Sequence, residues 1–217
     1  MRPLVLLAVF AGPLFGACAV SSAATAARPA GTSLAIHSAL IEKGRFGRSK
    51  VRAMQPRFIT IHATENFAPS ADARAHARML QEGSLKGPQN SLGFVTWHFT
   101  VDQNSVWQSL PTNEQGQHAD YEGPGNRLSI GIEMCENRGN SQTMTTARTA
   151  RLTAELMQRY QIPLSNVVPH QHWLMVRFAD GRNLGHKNCP HFLMEHGRPG
   201  AKWAAFIKQV SNYRNQL

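Results

Sequence analysis

Cys189 is one of three cysteines in 217 residues, and it stands in the segment Lys187-Asn188-Cys189-Pro190, shortly after His170 and His172. A soft thiolate and imidazoles on one irregular stretch are donors suited to zinc. Two histidines and one cysteine around Zn2+ leave a fourth position for water, the layout of a catalytic centre rather than a closed structural one. Lys187 lies two residues before Cys189, so an extended segment puts both side chains on one side. A lysine there can donate to an oxyanion, as amide hydrolysis requires, or can be an ordinary solvated residue.

Such a site needs a further ligand and a general base from elsewhere in the chain. His62 ends the apolar stretch Phe58-Ile59-Thr60-Ile61. Sheets present ligands to clefts at such places, although a histidine there also serves as a plain core or rim residue. Glu133 interrupts Ser129-Ile130-Gly131-Ile132, on the strand face opposite Ile132 and Met134. A carboxylate in that position is costly unless paired, metal-bound or catalytic. Paired at a strand edge it is structural; beside a metal it is a general base whose pKa burial raises toward neutrality. Of the ten histidines, His37, His76 and His196 stand in polar surroundings and are expected at the surface, as is Glu136.

The elements that must position these groups follow from periodicity. Residues 57–64 alternate with β-branched and aromatic types and predict a strand ending near His62. Residues 70–83 predict a helix with Ser70 as N-cap and Gly83 as its stop. Residues 97–101 and 106–110 read as a hairpin, and 128–137 as a further strand preceded by a loop. Ala147, Ala150, Ala154, Met157 and Tyr160 recur at helical spacing until Pro163, and Trp203, Phe206, Ile207 and Val210 mark a last helix. Strands interleaved with helices predict an α/β fold with a central sheet and helices packed on it.

The totals limit the partners. With 42% hydrophobic and 17% charged residues the chain is globular. A formal net charge of +10 suits a polyanion: nucleic acid, an anionic membrane surface or a carboxylate-rich wall. The N-terminus narrows that choice. After Arg2, an apolar run from Leu4 to Phe15 is too short to span a bilayer as a stable helix and reads as a secretory signal. Phe15-Gly16-Ala17-Cys18 resembles a bacterial lipoprotein box, which predicts a periplasmic protein tethered to a membrane, the outer one where the host has it, through lipidated Cys18. Cleavage after Ala19 or Ala24 would instead release a soluble exported protein. Export argues against nucleic acid. The remaining Cys135 and Cys189 are then free to pair in an oxidising compartment, unless a metal takes Cys189 and leaves Cys135 as a small buried residue. The expected division is a signal segment at 1–18, an Ala/Ser-rich linker at 19–36 and one folded domain at 37–217, acting as a monomer.

Four segments occur in order: Ile59-Thr60-Ile61-His62-Ala63-Thr64, the stretch from Trp97 to Pro111, the stretch from Gly123 to Asn137, and Val167-Val168-Pro169-His170 followed by Lys187-Asn188-Cys189-Pro190. Together they resemble the zinc-dependent N-acetylmuramoyl-L-alanine amidases, the type 2 family of phage lysozyme-like enzymes and peptidoglycan recognition proteins. The resemblance spans residues 57–193. It implies one domain with a central mixed β-sheet flanked by helices, a single Zn2+ held by His62, His170 and Cys189, and Glu133 and Lys187 as catalytic residues. It places His118, in Gly-Gln-His-Ala-Asp, in the substrate groove, and Trp97 and His98 on the cleft floor. The implied substrate is peptidoglycan or its muropeptides, cut at the amide between N-acetylmuramic acid and L-alanine. One departure is the insertion of residues 174–186 between two of the ligands.

Two other readings stand beside this one. His98-x3-Asp102 with the second histidine of His170-Gln171-His172 resembles a zinc peptidase that cuts within the stem peptide; it leaves Glu133 and Cys189 without a role. A non-catalytic muropeptide-binding module of the same fold typically lacks the cysteine ligand, which is present here.

Overall fold

The computed structural model describes residues 33–87 and 91–217; the expected signal segment and Cys18 lie outside them. In chain order the elements are β1 (His37–Ser38), β2 (Phe58–Ala63), α1 (Ala73–Gln81), β3 (Lys86–Gly87), β4 (Gly93–Phe94), β5 (Phe99–Val101), β6 (Val106–Gln108), α2 (Pro124–Leu128), β7 (Ser129–Met134), α3 (Gln142–Tyr160), β8 (Val167–Pro169), β9 (Met194–Glu195), β10 (Arg198–Pro199) and α4 (Ala201–Arg214). Six strands form one sheet in the order β1-β6-β5-β7-β2-β8. The β5–β6 hairpin is antiparallel and the other pairs are parallel, so the sheet is mixed, as expected.

Strand alternation gives this sheet two unlike faces. β2 and β7 run parallel in register, with Ile59 beside Ile130 and Ile61 beside Ile132. These four cluster with Met134, Phe99 and Val101, with Ala150, Ala154 and Met157 of α3, and with Phe206 and Val210 of α4. Each large aliphatic side chain buried there contributes about 1.5–3 kcal/mol. The intervening residues Thr60, His62, Gly131 and Glu133 point to the other face. His62 and Glu133 are register partners, so the parallel pairing alone sets them side by side.

Local chemistry explains where the observed ends differ from those read in the sequence. The N-cap of α1 is Asp72 rather than Ser70: its carboxylate accepts from the Ala75 amide at 2.7 Å. His76 is buried rather than exposed, because Ala73, His76, Ala77 and Leu80 make the inward face of that helix. The loop expected before β7 contains α2, with Pro124 in its first turn, where a missing N–H costs nothing. α3 begins after the Ser141 cap and ends at Tyr160, with Gln161 as its C-cap at a left-handed φ of 54°. Cys135 and Cys189 are buried, and among the described residues neither forms a disulfide.

Candidate metal centre

His62 leaves the end of β2, His170 follows the end of the neighbouring β8, and Cys189 reaches the same point from its loop. One donor atom from each of the three lies within 4.8 Å of the other two. The Cys189 sulfur accepts from the Ala63 amide at 3.3 Å, and the Cys189 carbonyl accepts from the Gln171 amide at 3.0 Å. The loop is thereby tied both to the residue after His62 and to the residue after His170.

The hydrogen bonds around the rings assign their tautomers. His118 turns Nε2 to the Ser129 carbonyl at 3.3 Å, so that nitrogen carries the proton. Its Nδ1 is then an acceptor, and takes the Nε2–H of His62 at 3.0 Å. His170 donates Nε2–H to the Ala119 carbonyl at 2.7 Å. What remains is the Nδ1 lone pair of His62 facing the Nδ1 lone pair of His170 at 3.0 Å. Burial keeps both rings neutral: it pushes His62 well below the usual histidine range and His170 down to about 4. Burial also pushes the Cys189 thiol up, with the Glu133 charge adding to the effect. Two opposed lone pairs and a thiol that ionises only beside a positive charge are the donor chemistry of a soft or borderline divalent cation such as Zn2+.

Beside these donors stands Glu133, its Oε1 3.9 Å from His62 Nδ1. Its Oε2 is buried with no hydrogen-bond partner among the described residues. Desolvation raises this carboxyl to about 8, with Lys187 opposing the shift and Glu65 and Glu136 adding to it. The half-exposed Lys187 pairs with Glu65 at 3.4 Å. His62, His118, Glu133, His170, Lys187 and Cys189 all line one cavity of about 300 Å3.

Not every residue singled out in the sequence arrives there. Trp97 lies in a separate apolar cluster with Ile41, Leu80 and Leu110. His98 is fully buried beneath the floor, accepting from the Gly131 amide at Nδ1 and donating to the Glu114 carbonyl at Nε2. Neither lines the cavity. The peptidase ligand set does not assemble: Asp102 accepts from the Ala73, Asn104 and Ser105 amides, and His172 is exposed, stacked on Phe58. Glu136 is buried against His191 at 3.1 Å instead of solvated. Sequence reasoning missed Lys86, Val95, Gln117, Tyr121 and Met175 in the lining. The one local signal was the insertion itself, which brings Met175. It folds as a hairpin closed by Met175 N–Gly185 O, Leu184 N–Met175 O and Arg177 N–Arg182 O bonds of 2.9 Å.

Known proteins share this framework. A sequence model of the N-acetylmuramoyl-L-alanine amidase family matches residues 52–192. The Bacillus subtilis N-acetylmuramoyl-L-alanine amidase XlyA is 44% identical over 144 residues, covering 66% of this chain and 42% of XlyA. The N-acetylmuramoyl-L-alanine amidase CwlH of the same organism is 38% identical over 162 residues, covering 74% of this chain and 55% of CwlH. The chain thus spans about half the length of these relatives. The solved catalytic domain of XlyA aligns with a TM-score of 0.65 at 39% identity, covering 82% of this chain and 99% of that domain.

Proposed function

The chain belongs to the N-acetylmuramoyl-L-alanine amidase family, and from that premise we propose that it is a zinc hydrolase cutting the amide between the lactyl group of N-acetylmuramic acid and L-alanine in peptidoglycan. The observation that carries this reading is the convergence of His62 Nδ1, His170 Nδ1 and the Cys189 sulfur beside Glu133 Oε2, which has no hydrogen-bond partner among the described residues. His62, His170 and Cys189 would hold one zinc ion, which when bound supplies Lewis acidity, polarising a carbonyl and acidifying water.

The chain's own residues do the rest. Burial lifts the Glu133 carboxyl to about 8, so it stays largely protonated at neutral pH until a positive charge beside it favours the anion. In the anionic form Glu133 would take a proton from the attacking water and return it to the leaving amine. Lys187, on the same cavity wall, offers its ammonium to the oxyanion of the tetrahedral intermediate. Glu65 pairs with that ammonium at 3.4 Å. The +10 net charge favours approach to an anionic wall polymer. Export by the N-terminal apolar segment, with Cys18 as a lipid attachment point, would deliver the enzyme to that polymer.

Mass spectrometry of purified peptidoglycan after digestion by the zinc-loaded chain tests the reading. Stem peptides beginning with free L-alanine, and glycan with intact lactyl groups, are expected. New termini inside the peptide, or no cleavage, would overturn it in favour of a peptidase or a binding module. Cys189→Ala is expected to lose zinc and turnover together. Glu133→Gln should retain zinc while turnover falls about 10^2–10^4-fold.

A further inference from the structure

We propose that the His118-Ala119 dipeptide is the clamp that orients both histidine donors, with His118 a positioning residue for His62 rather than a substrate contact. The inference rests on the metal-site part of the reading above and not on which bond is cut. Two consecutive residues reach the two rings: His118 Nδ1 accepts from His62 Nε2, and the Ala119 carbonyl accepts from His170 Nε2. Both imidazoles are thus held by one short piece of chain, each in the tautomer that leaves Nδ1 free.

The dipeptide is itself fixed from below. Asn126 Oδ1 accepts from the amides of His118 and Ala119, both at 2.8 Å. Asn126 is held in turn by Asp120, whose carboxylate accepts from the Gly125 amide at 2.6 Å and the Asn126 amide at 2.9 Å. The ring of His118 lies in a trough that two glycines leave open. A Cβ on Gly131 would come 2.8 Å from its Cγ, and a Cβ on Gly116 2.7 Å from its Cδ2. Real Cβ atoms do not approach so closely, so this ring position requires both glycines. His98 supports the ring from beneath, with centroids 5.7 Å apart and planes at 79°.

Both nitrogens of His118 are therefore engaged with protein, one with His62 and one with the Ser129 carbonyl. Neither is left to recognise a ligand. Without an acceptor at the Nδ1 position, the His62 proton can settle on either ring nitrogen, and the Nδ1–H form competes with metal. Loss of a partner of this kind lowers metal affinity by about 10–100-fold.

Zinc affinity of the full chain, stripped and titrated against a chromophoric chelator, is the test. His118→Leu is expected to bind zinc about 10–100-fold more weakly. His118→Asn, whose amide oxygen falls where Nδ1 was, should restore affinity close to wild type. Gly131→Ala, which leaves every site side chain unchanged, should weaken binding in the same direction by displacing the ring. Wild-type zinc affinity in the leucine variant, with only KM raised, would overturn the proposal and return His118 to the substrate groove. Equal weakening in the leucine and asparagine variants would also overturn it, since packing rather than the acceptor would then be responsible. Cys189→Ala separates the two levels: if it too binds zinc normally, the metal site itself is misassigned.

Discussion

On the sheet side of the cavity, the bonds that set the histidines join residues 56 and 51 positions apart in sequence. On the hairpin side, residues 174–185 are held by bonds among themselves, and the Arg177–Asp180 pair spans three positions. The sheet-side rings are buried, whereas Leu174, Val176 and Phe178 stand in solvent at 42, 38 and 57% exposure. A wall held by distant partners can place a donor within tenths of an ångström, but no part of it changes alone. A wall held locally can lengthen between two ligands without moving either. The two histidine donors therefore stand on the first wall, and the locally closed hairpin inserted between His170 and Cys189 forms the second.

The largest test of that contrast lies under the floor. Glu114 accepts the Nε2–H of His98 with its carbonyl and forms two bonds to Arg48 with its carboxylate, at 2.8 and 2.7 Å. Both side chains are buried, and Arg48 also donates to the Ile41 carbonyl. Glu114→Ala would leave a buried guanidinium unpaired, and is expected to cost about 3–5 kcal/mol in urea unfolding. A loss no larger than that of a surface substitution would mean that the floor is not the rigid part of the molecule.

Acid should act on the same wall through a smaller step. Burial holds His98 and His170 at about 4, against an ordinary value near 6.5, with the carbonyls of Glu114 and Ala119 opposing. Below pH 6.5 the unfolded chain takes up protons that the folded chain refuses until about pH 4. Stability is thus complete above 6.5 and declines as pH falls through that window. At pH 5 the loss is about 2 kcal/mol for each of the two rings. Urea midpoints of the metal-free protein at pH 7.5 and pH 5 measure it; identical midpoints would show these rings to be hydrated.

How much of this was legible in the sequence depends on the range of the interactions. His62 and Glu133 were readable because alternation fixes which face a strand residue occupies. The family resemblance placed His98 on the cleft floor, but a motif match does not report depth, and the ring lies buried beneath His118. The buried face of α1 was written in the spacing of Ala73, His76, Ala77 and Leu80, but polar neighbours suggested a surface histidine. The role of His118 was hidden for a different reason. It depends on Gly116, Asn126 and Gly131, and nothing local says that those residues surround one ring. The course of residues 174–186 was equally silent, since a hairpin closed by its own backbone needs no motif.

The smallest effects should come from the hairpin, and their smallness is the point. Asp180 pairs with Arg177 at the surface, where screening and side-chain entropy cancel most of the attraction. Asp180→Ala is expected to shift neither the urea midpoint nor zinc affinity. Met175 alternates with the exposed Leu174 and Val176, turns inward and lines the cavity. Met175→Ala should change KM for peptidoglycan while zinc affinity stays constant. The converse result, zinc affinity falling with KM unchanged, would mean that the hairpin braces His170 and Cys189 through its base. The bonds available for that are His186 Nδ1 to the Gln171 carbonyl at 2.8 Å and the Gln171 amide to the Cys189 carbonyl at 3.0 Å. Both lie at the root of the hairpin, beyond the Met175 N–Gly185 O bond that closes it. The side chains further out along the hairpin can therefore be exchanged without loosening either ligand.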